Sequence, residues 1–216
     1  MENTPKKHSK LSFEDYYFES FSNLINKTIY TVSKENTDKE VFFTSLINKT
    51  NAIKKSNGRL FFVGNGASAA FANHMALDWS KNGLIKSYSL SDSALLTALS
   101  NDLSYEDTFT KYLEMYEFNS NDLVVTISSS GNSKNIVNVI KYCNEKKIQT
   151  VGFSGLNNNN LTQKLSNFSI YVPCKTYGFA ECIHQFFLHL WLDKYMEIYE
   201  WDRTDSQNMD SDNFLI

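Results

Sequence analysis

Apolar positions change their period partway along the chain. Leu11, Phe13, Tyr17, Phe18, Phe21, Leu24, Ile25 and Ile29 recur at helical spacing and predict an amphipathic helix over 11–30 with a broad aromatic stripe. Residues 33–40 form a polar break. Val41, Phe42, Phe43, Leu46, Ile47 and Ile53 then predict a second helix ending near Asn57-Gly58. From Arg59 onward, short β-branched and aromatic runs alternate with helical-period segments. The runs at 60–63, 85–90, 123–127, 149–154 and 168–172 predict five strands. The segments at 68–81, 105–118, 133–146 and 161–165 predict the helices between them, and 179–199 a last, long one. Such alternation builds a parallel, doubly wound α/β sheet whose ligands lie at the carboxyl ends of its strands. The two leading helices carry more apolar surface than a sheet edge needs, and a second subunit is the natural cover for the rest.

Composition narrows the class. The 216 residues are 42% hydrophobic and 21% charged, enough for one sizeable domain with appendages. A net charge of −3 and the lack of a long basic run argue against nucleic acid as a partner. The apolar stretches fall short of a membrane span, and the polar, basic start at 1–10 lacks the apolar core of a signal peptide. Cys143, Cys174 and Cys182 are an odd set without paired spacing, as expected of reduced thiols in a cytoplasm. The acidic, polar tail at 202–216 reads as disordered.

Two strand ends carry the candidate chemistry. After the run at 123–127 come Ser128, Ser129, Ser130, Gly131, Asn132 and Ser133, and then a helix. Hydroxyls and the free N–H groups of a helix's first turn meet there, and that meeting point attracts an anion. The turn has neither the Walker lysine nor a GxGxxG spacing, so it suits a sugar phosphate better than a nucleotide. A Ser-rich turn with Ser130 or Ser133 merely capping the helix is the alternative. Gly64, Asn65, Gly66, Ala67 and Ser68 repeat the design after the first strand, and two such turns at one sheet's strand ends point to a small-molecule crevice. Ser68, Ser128, Ser130 and Ser133, with backbone N–H groups near Gly131, are expected to converge on one anion.

His74 and Asp78 lie one turn apart on a helix rich in Ala, Met and Leu, which predicts burial and hence a need for partners. Glu181, His184 and His189 lie on the apolar last helix. A surface ion pair at His74–Asp78 and a structural core histidine are the plain alternatives. A Cys174, Cys182, His184, His189 metal set fits no usual zinc spacing.

Gly64-Asn65-Gly66-Ala67-Ser68 with His74, Asn101-Asp102, and the run from Ile127 through Ser128, Gly131 and Ser133 to Asn135 resemble the sugar isomerase (SIS) domain, most closely its phosphoheptose isomerase branch. The resemblance covers residues 58 to about 200. It implies a flavodoxin-like sheet at 58–201, phosphosugar binding by residues that include Ser129, Asn101 and Asp102, and a homotetramer held partly by the helices of 1–57. In that branch, a His and a Glu one turn later follow the glycine loop, and a Gln and a His eight residues apart lie on the last helix. Those places fall on His74, Asp78, Glu181 and His189, with Asp for Glu and Glu for Gln. The resemblance thus implies Asp78 as base and His189 as acid of an aldose–ketose isomerase acting on sedoheptulose 7-phosphate for surface-polysaccharide heptose. Glu181 would be a sugar contact. His74, Asp78, Glu181 and His189 together are a donor set acceptable to Zn²⁺. Glu181 and His189 lie about 12 Å apart along a helix axis, so both reach one ion only from a distorted helix start or from different subunits. The rival reading is a non-catalytic SIS module that senses a phosphosugar or binds a protein such as the bacterial replication initiator.

Overall fold

A computed structural model describes residues 11–90 and 92–199, so Trp201 and the expected disordered tail lie outside the described residues. The chain runs α1 (Phe13–Asn26), β1 (Ile29–Val32), β2 (Glu35–Thr37), α2 (Lys39–Lys55), β3 (Leu60–Gly64), α3 (Ala67–Lys81) and β4 (Ser87–Ser89). It continues α4 (Ser93–Asp102), α5 (Thr108–Met115), β5 (Leu123–Ser128), α6 (Lys134–Glu145), β6 (Gln149–Ser154), α7 (Leu161–Leu165), β7 (Phe168–Tyr171) and α8 (Tyr177–Met196).

The strands form one sheet in the order β2-β1-β7-β6-β5-β3-β4. The five expected strands, β3 to β7, are all parallel, and their order is the doubly wound one in which the chain reverses direction across the sheet between β3 and β5. Alternation decides which face each residue serves. Phe62, Val125 and Phe153 pack with α2, α3 and α8, while Phe61, Val63 and Val124 pack with α5 and α6 on the other face.

Two differences from the sequence reading have physical causes. The first helix stops at Asn26, and Ile29–Val32 pairs antiparallel with both β7 and β2, so the sheet has seven strands rather than five. The polar break is a two-residue hairpin in which Ser33 and Lys34 have φ of 52° and 72°. Hairpins of that length favour positive φ at both positions, and the usual Asn-Gly signal is missing here. Helix α4 was not expected either; its Asp92 cap accepts a bond from the Leu95 N–H at 2.7 Å.

Helices α3 and α8 are clamped together. Trp79 and Trp191 are fully buried with ring centroids 4.8 Å apart, and the Trp191 indole N–H donates to Thr50 Oγ1 on α2 at 3.0 Å. Truncating either tryptophan would cost about 3–5 kcal/mol. This clamp fixes the relative position of the histidines those two helices carry. No helix among the described residues is long and apolar enough to cross a membrane.

Candidate active site

The switch point between β3 and β5 opens into a cleft of about 300 Å³ lined by Asn65, Gly66, Ala67, Ser68, the run Ile127–Ser130, Ser133, Tyr177 and Glu181. Three helices start at this cleft; α3 and α6 lack acidic residues in the first turn and have no side-chain cap, while α8 is capped by Thr176. The partial positive ends of α3 and α6 therefore face the cleft without an acidic side chain of their own first turns. Gly66, at α3's N-cap, has φ 57° and ψ −126°, a conformation open to glycine, and a Cβ there would meet nothing within 4 Å. Its bare backbone faces open space that a ligand can approach. Gly131 is held at φ 65°, and a Cβ there would lie 2.2 Å from Asn160 Oδ1.

Ser68, Ser128, Ser130 and Ser133 all line this one cleft. The Ser133 hydroxyl caps nothing and lies 3.4 Å from Ser128 Oγ and 3.5 Å from Ser130 Oγ. Ser68, Ser128 and Ser129 are buried, and Ser129 Oγ has no partner. The cationic side chain nearest in sequence, Lys134, is turned to Glu106 at 2.7 Å. The cradle is thus built from hydroxyls, amides and helix ends. Asn101 and Asp102, by contrast, end α4 bonded to each other at 3.1 Å and do not line the cleft.

A second group lies where α3 meets α8. His74, Asp78 and His189 each offer a ligand atom, all within 4.8 Å of one another. His74 Nε2 is 3.1 Å from Asp78 Oδ2, and the His74 and His189 rings are 5.2 Å apart. Burial does not force this pairing, contrary to the expectation for α3, because the His74 side chain is 48% exposed. Glu181 does not join this group; it lines the hydroxyl cleft. Its displacement follows from the straight run of α8, which puts eight residues, about 12 Å, between it and His189. Cys174 is buried and Cys182 exposed, and neither is part of the donor group.

Gln185 is the residue that the sequence reading missed. Its amide nitrogen is 2.7 Å from His189 Nε2, its Oε1 is buried without a partner, and the only hint in the sequence is the four-residue spacing to His189. Asp193, a further turn on, belongs to the same neighbourhood. Desolvation raises its carboxyl above the usual range; His189 opposes the rise and Asp78 reinforces it. His184, the other candidate on α8, is fully buried against Phe153. One ring nitrogen faces the Ser154 backbone, yet neither makes a hydrogen bond of good geometry, and burial lowers its pKa to about 4. It is a core imidazole.

Two imidazoles and one carboxylate within ligand reach are a donor set that could hold a metal ion. A groove of about 910 Å³ between α2 and the end of α8 has His189 and Asp193 in its wall.

Known proteins resemble this chain in sequence and in fold. A phosphoheptose isomerase of Campylobacter jejuni (isomerase 2) is 32% identical over 125 residues, covering 55% of this chain and 61% of that protein. One of Aneurinibacillus thermoaerophilus is 33% identical over 129 residues, covering 57% and 64%. The matched region thus spans somewhat less than two thirds of these relatives' own length. A solved phosphoheptose isomerase from Neisseria gonorrhoeae superposes with a TM-score of 0.68 over 87% of this chain and 100% of that one, at 21% identity. A family model described as SIS domain matches residues 17–155, well over half of the chain. With its hydroxyl cradle at the sheet's switch point, the chain belongs to the SIS domain family.

Proposed function

We propose that this chain is an aldose–ketose isomerase of a phosphorylated sugar, converting sedoheptulose 7-phosphate to a heptopyranose 7-phosphate for a lipopolysaccharide or capsule. The observation that carries the reading is the coexistence of two centres. One is a cradle of neutral donors for a phosphate, and the other is a cluster of two imidazoles and a carboxylate that mere binding does not require. The curated relatives named above support the substrate class.

The reaction moves a proton from C1 to C2 through an enediol. Asp78 takes the C1 proton, and the electron pair of that C–H bond forms the C1–C2 double bond as the C2 carbonyl becomes a hydroxyl. His189 manages the oxygen protons, since an imidazole both gives and takes a proton near neutrality. Collapse of the enediol returns the proton to C2 and leaves the aldehyde at C1. His74, 3.1 Å from Asp78, orients the carboxylate. His74, Asp78 and His189 would hold Zn²⁺, which when bound polarises the substrate oxygens as a Lewis acid. Glu181, in the cleft, accepts hydrogen bonds from sugar hydroxyls.

The active unit is a homotetramer in this reading. Phe13 and Phe18 are 74% and 70% exposed, and exposed Leu77 and Phe186 flank the donor group, so a neighbouring subunit completes the wall around the reacting carbons. Light scattering that finds a monomer at micromolar concentration refutes the assembly.

The test is exchange of the sedoheptulose 7-phosphate C1 protons in deuterated water, followed by NMR. Asp78→Asn and His189→Gln should each slow exchange by about 10²–10⁴-fold with phosphate binding intact. A wild-type protein that exchanges no heptose or hexose phosphate proton overturns the isomerase reading.

A further inference from the structure

Asn65 is tied on two sides at the mouth of the cleft. Its Nδ2 donates to Asn135 Oδ1 at 2.9 Å, and Asn135 Nδ2 returns a bond to Asn65 Oδ1 at 2.9 Å, joining the loop after β3 to the start of α6. Tyr105 adds a third loop, with its hydroxyl 2.8 Å from Asn65 Oδ1. The polarity of this network is not free. The backbone N–H of Ile136 can only donate, and it does so to Asn135 Oδ1 at 3.0 Å. Asn135 must therefore present its N–H to Asn65 Oδ1, Asn65 Oδ1 must be an acceptor, and the Tyr105 hydroxyl must donate.

Two consequences follow for the cleft. One N–H of Asn65 Nδ2 is used by Asn135, and the second is left to donate to a ligand in the cleft that Asn65 lines. Tyr105 gives its proton to Asn65, so its oxygen retains lone pairs for a hydroxyl donor. Its backbone is pinned: the neighbouring Glu106 pairs with Lys134 at 2.7 Å, and the Glu106 carbonyl accepts from Asn138 Nδ2 at 3.2 Å. Both ties end on α6, the helix that also carries Asn135. These bonds tether the chain beside Tyr105 to α6.

We propose that Tyr105 is a positioning residue for sugar recognition, which through Asn65 Oδ1 locks the Asn65 amide so that its remaining N–H donates to a sugar oxygen beyond the phosphate. The proposal rests on the phosphosugar reading above. It assigns recognition of the phosphate to the serines and helix ends, and recognition of the sugar to this network.

The experiment uses Tyr105→Phe in the full chain, which removes one hydroxyl from a half-exposed side chain. Calorimetry measures sedoheptulose 7-phosphate and inorganic phosphate separately, and ¹⁵N NMR follows the Asn65 side-chain NH₂, identified by its loss in Asn65→Asp. We expect sugar-phosphate affinity to fall about tenfold and phosphate affinity by less than about twofold, as suits one lost link in a network. The Asn65 NH₂ protons should also exchange faster with solvent. Equal loss for both ligands would make Tyr105 a structural prop of the cradle and overturn the proposal, and so would unchanged sugar-phosphate affinity. If wild type binds phosphate but no sugar phosphate, the isomerase reading fails. The NMR arm still decides the lock, because an Asn65 NH₂ signal indifferent to Tyr105→Phe refutes it.

Discussion

Ser133→Ala separates the two roles that a serine can play where a strand turns into a helix. At an N-cap, Ser→Ala costs about 1 kcal/mol, because the hydroxyl satisfies an orphan N–H of the first turn. The Ser133 hydroxyl makes no such bond and touches only the Ser128 and Ser130 hydroxyls, at the outer limit of hydrogen-bond length. Its removal should therefore change folding stability by no more than about 0.5 kcal/mol. Asp38 supplies an internal reference, because its carboxylate caps α2 at Val41 N with a 2.8 Å bond. Asp38→Ala should show the full capping loss.

Phosphate affinity should move the other way. A hydrogen bond to a charged group is worth about 1.5–3 kcal/mol, so Ser133→Ala should weaken phosphosugar binding roughly ten- to hundredfold, and Ser128→Ala similarly. Urea unfolding measures the first quantity and titration calorimetry the second. Stability lost by about 1 kcal/mol with affinity unchanged would mean that Ser133 is a cap and that the anion lies elsewhere.

Two further outcomes can be checked. His74→Ala should weaken Co²⁺ or Zn²⁺ binding by at least about tenfold in competition with a chromophoric chelator, since it removes one of three clustered donors; unchanged affinity would remove the metal site. His184, with its pKa lowered by burial to about 4, is below its unfolded value near 6.5, so the unfolded chain takes up the proton first. Its contribution is full above about pH 6.5 and is lost as pH falls toward 4. That loss is on the order of 3 kcal/mol, and His184→Leu should flatten the dependence in urea titrations between pH 7 and 4.5.

The parallel sheet was legible because buried strands and amphipathic helices write different periods, as 123–127 and the helix after it do. The hairpin at Ser33-Lys34 was hidden because the turn's backbone demand is met by residues that carry no turn signal. In the site, the serines and the His74–Asp78 pair could be placed because each is local, held by one loop or one helical turn. Glu181 was harder, since spacing along α8 gives its height and not its neighbours, and those are supplied by the two loops at the switch point. The Asn65–Asn135–Tyr105 network joins residues 40 and 70 positions apart, and nothing in local pattern couples them.

Helix α8 links the two centres. Its buried side carries Ile183, Phe187, Leu188, Trp191 and Leu192, which hold it against the sheet and α3. Glu181, Gln185, His189 and Asp193 follow one another at four-residue steps along the other side, each about 6 Å above the last. A solvated helix face has no need for order in such a row. Here Glu181 lines the hydroxyl cleft, Gln185 bonds His189, His189 meets His74 and Asp78, and Asp193 carries a carboxyl raised by burial near both. A sugar phosphate anchored at the cradle has its far carbons directed away from it, so in a single chain the row would have to be followed for about 12 Å before His189 is met. In the proposed homotetramer, with Leu77 and Phe186 exposed for a neighbour to cover, the cradle of one subunit would face the donor group of the next. On that geometry a monomeric variant keeps phosphate binding and loses proton exchange, because the two centres fail only at the distance between them.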